Sequence, residues 1–158
     1  AQAIHRIDYE TSGLVLFCKH PFFQAYCDKN MEDHHIQKEY IALVQGNTNY
    51  KNKKIISNIA RDRHNAKKMI IHPNGKESVS IFNTLKNYKD CSLIQVTILT
   101  GRKHQIRVQC ASLNHPILND SLYGGKIIDD TGLLLQSHHI QFNDVDITCP
   151  QEKRFVRK

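Results

Sequence analysis

Short apolar runs, each cut off by a turn-forming cluster, restrict what this chain can fold into. Tyr40-Ile41-Ala42-Leu43-Val44 stops at Gly46-Asn47-Thr48-Asn49, and the runs Ser78 to Leu85 and Ser92 to Leu99 flank a polar Lys86–Asp90 segment. Leu133 to Phe142 precedes a last run from Val145 to Cys149. Runs of this length, rich in β-branched and aromatic residues, read as strands. Leu14 to Cys18 is short and continuously apolar, as a buried strand would be, and Ile55 to Ile59 is a weaker strand. Met69 to His72 enters Pro73-Asn74-Gly75, which predicts a hairpin-like turn. Helical spacing is found in two places. Pro21 suits the first turn of a helix reaching about Glu32, and Ile106, Cys110 and Leu113 recur at i, i+4 and i+7 until Pro116 stops the pattern. Strands with two helices predict an α+β fold with a mixed, largely antiparallel sheet. The 158 residues amount to one domain and show no internal repeat.

Two stretches carry more charge than their apolar neighbours would tolerate without a reason. His5-Arg6-Ile7-Asp8-Tyr9-Glu10-Thr11-Ser12-Gly13 places an imidazole, a guanidinium and a carboxylate just ahead of the Leu14 run. Such groups beside a buried segment must pair or do chemistry; a solvated turn is the plainer reading. Thr100-Gly101-Arg102-Lys103-His104-Gln105-Ile106-Arg107 lies where a strand turns into a helix. Free backbone N–H groups and four basic side chains there suit an anion. Helical spacing would put His104 and Arg107 on one face and turn Ile106 to the core. The plainer reading is a basic helix start on the surface.

The overall balance is basic, Lys+Arg 22 against Asp+Glu 15, which favours a polyanionic partner such as nucleic acid. Five widely spaced cysteines without a CxxC argue against a disulfide framework and against zinc, and suit a reducing compartment. The ten histidines show no metal-ligand spacing. No apolar run approaches the ~20 residues that cross a bilayer. The expected location is the cytoplasm.

Taken together, the motifs resemble those of a known family. His5-Arg6-Ile7-Asp8-x-x-Thr11-Ser12-Gly13-Leu14 resembles the signature of the RluA-type pseudouridine synthases. Thr100-Gly101-Arg102-x-His104-Gln105-Ile106-Arg107, followed by His115-Pro116-Ile117 and Asp120-x-x-Tyr123-Gly124, is similar to the family's second signature. Lys38-x-Tyr40-x-Ala42-x-Val44-x-Gly46 is similar to a third. The resemblance runs from Gln2 to about Phe155 and implies the pseudouridine synthase catalytic domain, a bent sheet with flanking helices around a central cleft. It implies that residues 1–158 are that domain without its opening strands.

The resemblance implies an isomerase that flips uridines out of structured RNA, ribosomal RNA before tRNA. It also implies a monomer needing no cofactor, since isomerisation involves neither redox change nor hydrolysis. Asp8 would be the catalytic carboxylate, Tyr40 the ring packing on the flipped uracil, and Arg107 the partner of Asp8. RNA and substrate contacts would fall to Arg6, His5, Thr11, Arg102, His104 and Gln105. The chain departs from the family at Gln109, usually histidine, at Asn119, usually glycine, and at Gln136-Ser137, usually His-Ala. The alternatives are a non-catalytic RNA-binding protein that keeps the fold, or a kinase-like site on His-Arg-x-Asp. The latter lacks the Gly-rich loop and the metal-binding motif it would need.

Overall fold

The computed structural model describes residues 1–158 and has two α-helices packed on strands. A small opening unit holds β1 (Gln2–Ala3), β2 (Ser12–Gly13), β3 (Phe17–Cys18) and α1 (Pro21–Glu32). The main sheet adds β4 (Gln37–Gln45), β5 (Lys53–Arg61), β6 (Met69–Ile71), β7 (Lys76–Asn87), β8 (Cys91–Ile98), β9 (Leu135–Phe142) and β10 (Val145–Thr148), with α2 (Gln105–Ser112) between β8 and β9 in sequence. Its order is β10-β9-β4-β8-β7-β5-β6, antiparallel between neighbours, with β2 added parallel to β9. The α+β reading therefore holds.

β4 reads as an unbroken apolar run because the fold covers it on all sides. Ile41, Ala42, Leu43 and Val44 have almost no exposure and pack with Leu93, Ile94 and Val96 of β8, with Ile106 and Cys110 of α2, and with Phe155. The helix itself is held by amides as much as by hydrocarbon. Gln109, wholly buried, accepts a bond from the Ser80 hydroxyl (2.7 Å) and points its amide nitrogen at Ser78 (3.3 Å). Gln105 donates to the Val79 carbonyl (3.1 Å) and to Ser80 Oγ (2.8 Å). The amide oxygen and nitrogen of both glutamines thus keep partners.

Two strand expectations need correction. The Leu14–Cys18 run is not one strand: Leu14 donates its N–H to the Ser137 carbonyl at 3.0 Å, whereas Phe17–Cys18 pairs with Gln2–Ala3. The segment passes from one sheet to another, and hydrophobic continuity cannot reveal that. Nor does Pro73-Asn74-Gly75 make a hairpin. β6 and β7 pair with opposite edges of β5, and Ile71 and Lys76 both register with Ile59. The chain therefore steps over β5 and continues in the same direction. Turn chemistry marks where a chain bends, but does not say which strand lies beside it. The step needs glycine, since a Cβ on Gly75 would sit 2.5 Å from the Ile59 carbonyl carbon.

His139 of β9 bridges two other strands. Its Nδ1 lies 2.9 Å from Glu39 Oε2 of β4 and its Nε2 2.7 Å from Asp146 Oδ1 of β10. The Asp146 hydrogen bond, helped by Glu39, raises its pKa above 6.5 despite some desolvation.

Gly75→Ala should destabilise the fold by about 1–3 kcal/mol through backbone overpacking, read as a lower urea midpoint with an unchanged slope. The bridge at His139 should contribute fully below about pH 6.5 and be lost as pH rises through the raised value. His139→Gln should therefore remove a stability advantage that the parent shows at pH 5.5 over pH 8.5 in thermal melts.

Candidate active site

The charged opening motif is seated by a close backbone contact. The Thr11 N–H closes a turn on the Asp8 carbonyl at 2.9 Å, and Ser12–Gly13 then runs beside Gln136–Ser137 of β9. Gly13 has φ +102°, and a Cβ there would lie 2.1 Å from the Ser137 carbonyl oxygen, so no other residue fits without moving β9. The closing segment braces the same place. The Ser12 hydroxyl donates to Glu152 and accepts from Arg154 Nη2 at 2.9 Å, while Arg154 Nη1 donates to the Thr131 and Leu133 carbonyls. Buried Gln136 joins in, donating to the Pro150 carbonyl (2.9 Å) and accepting from the Glu152 N–H (3.2 Å). That brace explains a glutamine at a position where the resemblance sets histidine.

This seating aims Asp8 into a cleft of about 440 Å³ counted with its open mouth, into which Tyr40 and Lys38 of β4 also project. Ile7, Ile98, Ile106 and Leu135 make apolar walls, and exposed Arg6 and Arg102 stand at the rim. β9 carries an extra residue, His138, opposite the Glu39–Tyr40 step, because Glu39 registers with His139 but Tyr40 with Ser137. Bulges of this kind re-aim side chains next to active sites. Burial, reinforced by the Asp8 charge, pushes the Tyr40 phenol up to about 12, with the Ser137 hydroxyl working the other way. Tyr40 therefore enters any reaction as a neutral phenol.

Arg107 departs from its expected pairing. Its Nε and Nη2 grip both oxygens of Asp120 at 2.9 and 2.8 Å, and its Nη1 reaches Glu10 at 3.3 Å, so the partner is Asp120 and not Asp8. Arg107 and Asp120 are 3% and 2% exposed, and the two-pronged geometry matches a guanidinium to a carboxylate. Burial would lower the Arg107 pKa, but Asp120, then Glu10 and Asp8, more than reverse that. Asp8 thus feels Arg107 through space, and no hydrogen bond joins them. The turn that delivers Asp120 depends on Gly125, whose Cβ would fall 2.0 Å from the Ile117 carbonyl oxygen. Asn119 takes the left-handed φ of 65° that glycine usually supplies, and its amide bonds Asp129, Gly132 and Ile128.

The other sequence-selected residues divide into two groups. Arg6, Thr11, Arg102 and Gln105 line the cleft. Gln105 is also a strut, since its Oε1 takes bonds from Thr100 Oγ1 (2.8 Å) and the Arg102 N–H (3.1 Å). His5 and His104 do not line it. The ring of His5 accepts the Leu16 N–H at 3.1 Å, and burial with the nearby Lys38 charge brings its pKa to about 4. His104 precedes α2 in a left-handed conformation, φ 55°, so it does not share a helix face with Arg107. The Tyr123 hydroxyl accepts the Met69 N–H at 2.9 Å and shares a second hydrogen bond of 2.7 Å with His104 Nδ1. Desolvation lowers the His104 pKa, with the Asp8 charge working the other way. The Tyr123 ring in turn lies 5.1 Å from the Arg107 guanidinium.

Sequence reasoning gave no role to Lys38, Glu10 or Asp120. Asp120 had a usable signal, because a buried arginine demands a carboxylate and this one sits at a tight Tyr-Gly-Gly turn. Outside the cleft, Gly101 and Arg102 continue into a groove lined by Arg61, Lys76 and Lys103. Arg63, His64 and His72 extend it. Between β5 and β6, Arg61 and Arg63 face these grooves, whereas the Lys68 ammonium lies 5.5 Å over the Tyr123 ring.

Asp120→Ala would strand a buried guanidinium. The expected loss is about 3–5 kcal/mol of folding stability, measurable by chemical denaturation. Asp120→Ala combined with Arg107→Met should recover most of it.

Comparisons with known proteins agree with one another. Residues 1–112 match the family model described as RNA pseudouridylate synthase. The chain is 40% identical over 124 residues to the uncharacterized RNA pseudouridine synthase YhcT of Bacillus subtilis, covering 77% of this chain and 41% of that protein. It is 34% identical over 157 residues to the ribosomal large subunit pseudouridine synthase D of Borreliella burgdorferi, covering 97% of this chain and 47% of that protein. The chain thus spans less than half the length of these curated relatives. Among solved structures, human RNA pseudouridylate synthase domain containing 1 superposes with a TM-score of 0.84 at 23% identity, covering 94% of this chain and 68% of that one. That likeness speaks for the fold.

Proposed function

Because the chain belongs to the RNA pseudouridylate synthase family, we propose that it isomerises uridine to pseudouridine in structured RNA, with ribosomal RNA the first candidate and tRNA the second. The observation that carries the reading is the meeting of Asp8 and Tyr40 in one apolar-walled cleft, although Asp8 comes from the connection between β1 and β2 and Tyr40 from β4. An aspartate there can take the sugar C1′ covalently or remove the C2′ proton. Tyr40 offers a flat face on which an everted base stacks, which helps offset the few kcal/mol of unstacking. The rim guanidiniums and the adjoining cationic groove supply phosphate contacts. Arg107 acts as a positioning residue, fixing Glu10 of the opening motif and adding its field to that of Asp8. In this reading the protein works without a cofactor, as a cytoplasmic monomer.

Asp8→Asn should abolish pseudouridine formation on unmodified ribosomal RNA transcripts, read by carbodiimide-dependent primer extension, with RNA affinity unchanged to within a few-fold. Normal turnover by the asparagine variant would place the chemistry on another group.

A further inference from the structure

Lys38 is the one deeply buried charge in the cleft. It is 7% exposed and has neither a hydrogen bond nor an ion pair. It precedes Tyr40 by two positions on β4, so both side chains leave the same face of the strand. Its cross-strand neighbour, Ile98, leads toward the Thr100–Gly101 turn, and the Lys38 ammonium ends 3.6 Å from where a Cβ on Gly101 would stand. An ammonium held largely, though not wholly, out of water without a counter-ion is unfavourable, and burial accordingly pulls the Lys38 pKa below the usual lysine range. Structures keep such a group where an anion arrives.

We propose that Lys38 is a catalytic residue whose ammonium receives a ring oxygen of the everted uracil and stabilises the negative charge the ring acquires as its bond to the sugar breaks. The proposal rests on the pseudouridine synthase reading and adds a group to it. When the C1′–N1 bond breaks, its electron pair stays on the ring, and the charge spreads over N1, O2 and O4. Asp8 meanwhile bonds C1′ or takes the C2′ proton. The ring turns and a C5 electron pair forms the C1′–C5 bond as Asp8 either leaves C1′ or returns the proton to C2′; the C5 proton then passes to water and N1 takes one from water. Nothing is oxidised or reduced, and Lys38 forms no covalent bond. It supplies a fixed positive charge where negative charge develops.

Two features favour the ring over a phosphate as the anion. Lys38 is buried like Tyr40 and shares the apolar-walled cleft with Asp8, whereas phosphates meet exposed Arg6 and Arg102 at the mouth. Tyr40, held protonated with a pKa of about 12, brings no charge of its own.

The test compares wild type, Lys38→Arg and Lys38→Met in single-turnover conversion of unmodified large-subunit ribosomal RNA and tRNA transcripts, at saturating and sub-saturating protein, with melting temperatures alongside. The methionine variant should lose about a hundredfold or more in maximal rate. Its half-saturating concentration should stay within a few-fold, and its melting temperature should hold or rise, since an unpaired buried charge has gone. Arginine should recover part of the rate and move the alkaline fall of the rate to higher pH. An unchanged maximal rate in Lys38→Met would overturn the proposal, whether or not affinity falls, and a fall in affinity alone would mark a phosphate anchor. A rate loss that tracks a lower melting temperature, without rescue by arginine, would make Lys38 structural and overturn it as well. If wild type formed no pseudouridine on any of these RNAs, the parent reading would fail and take this one with it.

Discussion

The grip of Arg107 on Asp120 is the interaction on which the rest of the molecule depends. A buried ion pair adds little net stability compared with hydrocarbon, but it tolerates almost no error in placement. Here one guanidinium fixes α2, from which it projects, the 117–125 turn that carries Asp120, and the opening motif through Glu10. The Tyr123 ring beside it passes the constraint on through its hydroxyl, which is shared by the Met69 N–H and His104. The opening motif, β6, α2 and the 117–125 turn thereby take up one arrangement.

Amides do the same work where helix meets sheet. Gln105 and Gln109 face Ser80, Ser78 and Ser57, a pattern an apolar interface of equal volume would not need. Hydrocarbon can slide, whereas a glutamine whose oxygen and nitrogen both have assigned partners has one register. Gln136 repeats the device at the other edge of the site by tying β9 to the 149–152 segment. These polar contacts set positions, and the β4 core supplies most of the driving force.

Much of this was legible in the residues. Apolar runs located β4, β7, β8 and β9 because those strands are covered on both faces or paired on both edges, and Pro21 marked the start of α1 correctly. The motifs located the cleft, since Asp8 and Tyr40 do meet there. What failed shares one cause. The Leu14 run divides between two sheets, the 73–75 turn carries the chain across β5, and Arg107 chooses Asp120 over Asp8. Each is a choice among partners, settled by tertiary packing and not by local pattern. His104 is a local failure: a left-handed residue before a helix breaks the spacing argument one position earlier than the sequence suggests.

The node of Ser12, Glu152 and Arg154 joins residues 140 and 142 positions apart. During synthesis on a ribosome the opening motif emerges 140 residues before Glu152, the first of the two side chains that brace it. The seat of Asp8 therefore forms only once both segments are present, and a chain broken off before residue 152 carries the motif without its brace. Sequence separation of this kind slows folding, and it ties the aim of the opening motif to a contact made far along the chain.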